Sequence, residues 1–359
     1  MSGPAIPMPR LTGWPQDAPA PGRHLLLLPD GVVAEEVEVL AISRFSAARW
    51  DRPPRVPMSR RDSAAQPTPG VLRLGRLSTV TGPFGVEPAV AARLGVPGDI
   101  VSAWPVDVPR ERHAALAIGG DRDGLRRAFG AQQPVREEGR VLRWLIDVAR
   151  RLGGAVRTDT GAVLVPEMDA ALDLTVVSDR WVEPEVVLTA ARRVAPQARI
   201  DAPVSSGDRL ASVAHTGRAL VQRPDAGIGV ADADERQRLH AEADAFDAWM
   251  VAHPPAAEGF GVLIDLGADG AVSVRAETEG ELPLVLHGLD WTQGEVVAYR
   301  VTWEPPELEE LEAEKPSLAH RVARGRAAQV VRSIAREVQL DVGGEVADMA
   351  GFLVDPAEL

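Results

Sequence analysis

The residues best suited to chemistry lie in the last third of the chain. Glu304, Glu307, Glu309, Glu310, Glu312 and Glu314 form an acidic run, and His320, Arg321, Arg324, Arg326, Arg332 and Arg336 follow at once. At helical spacing Arg321, Arg324 and His320 come to one side near the start of a helix that Ser317 can cap. Guanidiniums beside a helix N-terminus suit an anion, so His320, Arg321 and Arg324 are the candidate anion-binding group. The competing reading is neutralisation: the acidic run folds against the basic one, which accounts for the composition of both. That reading is favoured.

Other motifs are weaker. Asp159-Thr160-Gly161-Ala162 resembles the short signature of retroviral-type aspartic proteases. Such an enzyme needs a second carboxylate sharing a proton, on a loop after an apolar strand. Arg157 and Thr158 precede Asp159 instead, so the sequence assigns it to a hairpin turn. Gly119-Gly120-Asp121-Arg122-Asp123-Gly124 lacks the Lys and Ser/Thr of a phosphate loop and reads as a plain loop. Gly227-Ile228-Gly229 lacks the third glycine of a dinucleotide fingerprint. Neither a Gly-x-Ser-x-Gly elbow nor a His-Glu-x-x-His pair occurs. The seven histidines, at 24, 113, 215, 240, 253, 287 and 320, are never three or four residues apart. With no cysteine in the chain, thiolate chemistry and cysteine-bound zinc are excluded. No metal and no cofactor is expected.

The elements that must position these residues are read from periodicity and turn chemistry. Residues 1–23 carry six prolines and read as a flexible arm. A strand is expected at 25–28, a strand or helix at 34–50, and a mobile Pro- and Arg-rich loop at 52–70. A helix at 86–94 ends in a Gly and a Pro; its tail only superficially resembles a helix-turn-helix. A strand at 113–119, a helix at 137–152, two short strands about Asp159, a strand at 172–177, a helix at 184–195 and a strand near 198–202 follow. That order resembles a ferredoxin-like unit. A helix is expected at 232–251, a hairpin about Ala268-Asp269-Gly270, strands at 284–287 and 296–303, and a last helix at 317–338 with two short strands after it.

An internal repeat organises the whole. Residues 153–166 align with 343–356 at five identical positions of fourteen: two leading glycines, a Val, a later Gly and a Pro. A helix of similar ending precedes each, and Asp159 falls opposite Met349. The expected fold is therefore α+β, with two related halves at 24–205 and 206–359. Each half carries a helix followed by a β-hairpin on a mixed or antiparallel sheet.

Net charge is −13, and all but one of the 39 basic residues are Arg. Such a field disfavours nucleic acid and anionic lipid as partners. No apolar run is long enough to span a bilayer, and the cytoplasm is the default location. The composition and the lack of a catalytic motif favour a non-catalytic binding or interaction protein, with a protein partner or self-association. The alternative is a hydrolase or transferase acting on an anionic small molecule between the halves, with His320, Arg321 and Arg324 facing the substrate.

Overall fold

Leu25, Leu26, Leu27 and Leu28 are all buried, although a strand sends successive side chains to opposite faces. Leu26 and Leu28 join a core beneath two helices, and Leu25 and Leu27 join a second core on the other face. A strand covered on both sides reads as an unbroken apolar run, and these leucines form the centre of the first sheet. The computed structural model describes residues 22–55, 68–114, 120–201 and 259–359. Its fold is mixed α and β with antiparallel sheets.

The first region runs β1 (His24–Pro29), α1 (Ala34–Ile42), β2 (Arg49–Arg52), β3 (Gly70–Arg73), β4 (Thr79–Gly82), β5 (Phe84–Gly85), α2 (Pro88–Leu94) and β6 (Ile100–Asp107). It continues through β7 (Arg112–Ala114), α3 (Leu125–Phe129), β8 (Gln132–Pro134), α4 (Arg136–Leu152), β9 (Ala155–Arg157) and β10 (Val163–Leu164). The second region holds β11 (Leu174–Ser178), α5 (Pro184–Val194), β12 (Arg199–Ile200), β13 (Gly259–Asp265) and β14 (Ala271–Thr278). It ends with β15 (Val297–Glu304), α6 (Leu318–Val342), β16 (Glu345–Asp348) and β17 (Leu353–Val354). The first sheet has the order β10-β9-β1-β6-β4-β3-β2, with β5 beside β6; the second has β17-β16-β11-β15-β14-β13-β12. The strands β7 and β8 form a separate ribbon.

Helix α4 places Val141, Leu142, Leu145, Val148 and Ala149 on the first sheet, the helical spacing seen in the sequence. Gly153 closes it with φ of 67°. Helix α6 buries Ala327, Val331, Ile334, Ala335, Val338 and Val342 against the second sheet and α5, and ends four residues later than expected. A Cβ on Gly154 would collide with the carbonyl oxygen of Leu27 in β1, and one on Gly344 with that of Val177 in β11. Each glycine thus lets a helix end press onto a central strand.

Several expectations change. Residues 113–202 do not form one ferredoxin-like sheet: β9 and β10 belong to the first sheet, β11 and β12 to the second. The boundary placed at 205/206 therefore falls between β12 and β13 of one sheet, whereas the chain changes sheets between β10 and β11. Composition marks that crossing poorly, because β11 is a buried strand directly after a short turn. The expected strand at 284–287 is a 3-10 turn started by Pro283; its Leu286 packs on Val177 and Val296 under β11. Arg55 and Thr68 exchange backbone hydrogen bonds, so the ends of the 52–70 loop are paired. The arm to residue 21, residues 56–67 and 115–119, the helix expected at 232–251 and Gly227-Ile228-Gly229 lie outside the described residues.

The two regions are joined by side chains. Phe352, between β16 and β17, is buried in the core of the first sheet. Beside it Arg44 donates to the Ala350 carbonyl (3.0 Å), and Arg127 pairs with Glu314 (2.7 Å).

Candidate functional site

Helix α6 begins as expected. The Ser317 hydroxyl accepts the His320 amide at 3.1 Å and caps the helix. His320 and Arg324, four residues apart, share its buried face; Arg321 points to solvent. The structure thus brings together two of the three candidate residues. Arg324 donates from Nη2 to Glu167 and to Asp169 (2.8 Å), both on the segment that links the sheets. Its buried Nε has no partner among the described residues. The His320 ring lies 5.0 Å from that of Trp303, and burial together with the Arg324 charge holds its pKa below the ordinary imidazole value. A cleft near Trp303, lined also by Arg122, Asp173 and Met349, has a volume of about 30 Å³, room for one water.

No direct ion pair joins the acidic run to the basic one among the described residues, Glu310 and Glu307 acting on His320 only through their charge. Glu314 goes to Arg127, Glu310 accepts the Ser317 amide (2.7 Å), and Glu304 accepts from Ser273 (2.8 Å). Arg326 turns to Asp269 (3.3 Å). Tertiary packing supplies partners closer than the neighbouring segment can.

The densest polar cluster lies elsewhere, at the open end of β1. The ring of His24 is buried, and its Nδ1 accepts the amide of Asp159 at 3.0 Å. The Asp159 carboxylate is farther from that nitrogen, at 3.8 Å, so the amide is the partner that fixes the tautomer. Nε2 then carries the proton and donates to Glu138 Oε1 (3.3 Å). Arg112 donates to Glu138 (2.7 Å) and to both oxygens of Asp159 (2.6 Å), and its guanidinium stacks 4.7 Å from the Phe129 ring centre. Arg110 adds a second pair to Asp159 (3.0 Å), and the Glu111 amide donates to Glu138 (2.8 Å). Glu138 is completely buried in the first turn of α4, where the helix dipole favours an anion.

Burial lowers the His24 pKa, and the pull of Asp159 and Glu138 does not offset it, so the ring is neutral at pH 7. Burial also opposes the Arg112 charge, but hydrogen bonds to Glu138 and Asp159 outweigh it and raise its pKa. His24, Glu138 and Asp159 are of metal-ligating type, with ligand atoms within 4.8 Å of one another. They do not fit a cation as arranged: the Arg112 guanidinium occupies the space between the two carboxylates, and both His24 nitrogens have partners. Chemically the cluster is a satisfied polar staple holding β1, β7, α4 and the β9–β10 turn together.

Asp159 does sit in a hairpin turn, but it is buried and ion-paired. The partners at 24, 112 and 138 carried no sequence signal, since nothing local links positions so far apart. Nearby, Arg157 on β9 is buried with its Nη1 unpartnered among the described residues, and burial lowers its pKa.

No protein-family model matches the chain, and no curated protein or solved structure matches it.

Proposed function

We propose that this chain is a non-catalytic binding or interaction protein of the cytoplasm, built from two related halves that meet between β10 and β11. The shared strand order of the two sheets supports the relation. In each, two strand–helix–strand units interleave in the manner of a ferredoxin-like fold: β1-α1-β2 with β6-α4-β9, and β11-α5-β12 with β15-α6-β16. Each sheet also receives one extra hairpin, β3–β4 or β13–β14, at the same place in the order. The paired close approaches of Gly154 and Gly344 support it further. The absence of cysteine suits a reducing compartment.

The observation that carries the non-catalytic reading is the engagement of the candidate groups. Arg324 is held by Glu167 and Asp169, and the histidine cluster is closed by Arg112. A thermal-shift screen of the full chain against nucleotides, inorganic phosphate, sugars and divalent metals tests it. The expected result is no saturable rise in Tm. A rise with phosphate that Arg324→Ala abolishes would favour the alternative, an enzyme acting on an anionic small molecule.

A further inference from the structure

The charge of the chain is divided unevenly. Residues 1–170 carry 22 arginines against 19 acidic residues, whereas residues 171–359 carry 17 basic against 33 acidic. Within the first region the arginines gather at one end of the sheet. Arg44 ends the α1 turn, and the next residue, Phe45, is covered by Arg140 of α4, whose guanidinium lies 4.9 Å from the ring centre. Arg140 also reaches to 3.9 Å from the Cβ position of Gly75, in the turn between β3 and β4 that exposes Arg76. Arg143, one turn along α4, is close enough to Arg44 that their like charges oppose each other. Arg49 begins β2 opposite Arg73.

Three carboxylates serve this group and all are engaged: Asp147 pairs with Arg150 (2.9 Å) while its charge also acts on Arg44 and Arg143. Asp51 forms its hydrogen bonds with Arg73, and Glu137 with Arg140 and Ser78. Arg44 spends its hydrogen bond on a neutral backbone carbonyl. Arg49, Arg76 and Arg143 are exposed and make no direct ion pair with a described residue, Asp51 and Asp147 acting on Arg49 and Arg143 only at longer range. Two apolar side chains stand open beside them, Leu77 at 56% and Ile42 at 42% exposure.

We propose that the surface formed by Arg44, Arg49, Arg76 and Arg143 with Leu77 and Ile42 docks an acidic protein segment that carries apolar residues among its carboxylates. Charge complementarity selects an anionic partner. The apolar pair selects protein over nucleic acid, since a phosphate backbone gains nothing from leucine and isoleucine. The acidic remainder of the chain selects a short segment, because a long polyanion would run beyond the screening length of about 8 Å into like charge. This surface deepens the interaction-protein reading and rests on it.

The test is fluorescence anisotropy of the full chain with three labelled probes: a 12-residue peptide repeating Glu-Glu-Leu, its Lys-Lys-Leu counterpart and a 12-nucleotide single-stranded RNA. Saturable binding is expected for the acidic peptide alone. It should weaken about tenfold, about 1.4 kcal/mol, in the double variant Arg76→Glu, Arg143→Glu. Leu77→Ser should weaken it without changing its salt dependence, while Arg332→Glu, exposed on α6, should leave it unchanged. Absent binding, binding indifferent to the double variant, or tighter binding of the RNA would overturn the proposal. The first two would make these arginines protection for the β2 edge alone. The non-catalytic reading fails by a different signal, a small-ligand shift in Tm, so the two failures are distinguishable.

Discussion

The two sheets share an order of strands but not what they bury at equivalent places. Counted from the Leu26–Val156 and Val176–Val346 pairs, His24 corresponds to Leu174 and Asp159 to Met349. The first region closes its strand end with ionised groups. The second does so with apolar side chains, and Met349 lines the small cleft beside Trp303. What stays constant is the set of backbone constraints: a glycine closing the helix and a second glycine pressed on the central strand. The arrangement of strands thus depends on where glycine and apolar residues fall, and the choice of polar or apolar chemistry at the strand end is free to differ.

The largest expected effect breaks this contrast at its strongest point. Arg112→Ala leaves Glu138 and Asp159 buried side by side with their main cation gone. Removing one partner of such a cluster costs about 3–5 kcal/mol. Met349→Ala, at the corresponding turn but 42% exposed, should cost well under half as much. Urea unfolding with a constant m-value compares them. Equal losses would mean that the charged cluster contributes no more than an apolar contact.

The legible parts of the sequence were those set by local periodicity. Helices α4, α5 and α6, the leucine strand β1 and the hairpin at Gly267–Asp269 follow from spacing and turn residues alone. The aligned segments 153–166 and 343–356 set Gly154 opposite Gly344, and each lies against a strand carbonyl, that of Leu27 or Val177. The assignment of β11 to the second sheet was not legible, because strand pairing is decided across the chain. The staple was hidden for the same reason. Its His, Arg, Glu and Asp come from a strand end, a ribbon, a helix start and a turn, and each alone reads as a surface residue. Helical spacing sets Arg324 beside His320 on α6, but its partners at 167 and 169 come from a distant segment that no local pattern links to it.

The glycine contacts sharpen the likeness between the regions. Gly154→Ala and Gly344→Ala each force a methyl into a strand carbonyl, an overpacking cost of about 1–3 kcal/mol. Gly344 has φ of 80° in addition, which an alanine tolerates poorly, so its variant should be the worse by about 1 kcal/mol. A negligible loss at either site, read from Tm, would remove the closest structural parallel between the two regions.

Acid stability gives a smaller effect with a definite sign. Burial lowers the pKa of both His24 and His320, so the unfolded chain binds protons that the folded chain refuses. Their contribution is therefore full above the ordinary value of about 6.5 and is lost as pH falls below it. Asp147 and Asp348 act oppositely, their pKa values being raised by burial, but they do so nearer the carboxylate range. Between pH 7 and 5 the histidine terms should dominate. His24→Gln, which retains a donor for Glu138, should flatten the fall in Tm over that interval. An unchanged slope would show that His24 gains its proton without cost to the fold.

The smallest effect concerns how the two long helices begin. Helix α6 has a side-chain cap from Ser317, whereas α4 follows Val135 without one and starts at Arg136 with φ of 46°. A left-handed conformation costs a non-glycine residue roughly 1–2 kcal/mol. Glycine removes that strain but loses about 0.5–1 kcal/mol through greater freedom in the unfolded chain. Arg136→Gly should therefore stabilise by about 0.5 kcal/mol. Leu318→Gly at the first position of α6 has no such strain to relieve, and its side chain is 69% exposed, so only the entropic loss remains. The two variants should shift the urea midpoint in opposite directions. If Arg136→Gly destabilises as Leu318→Gly does, the start of α4 holds no strain, and the tight path that brings Glu138 into the staple has no backbone cost.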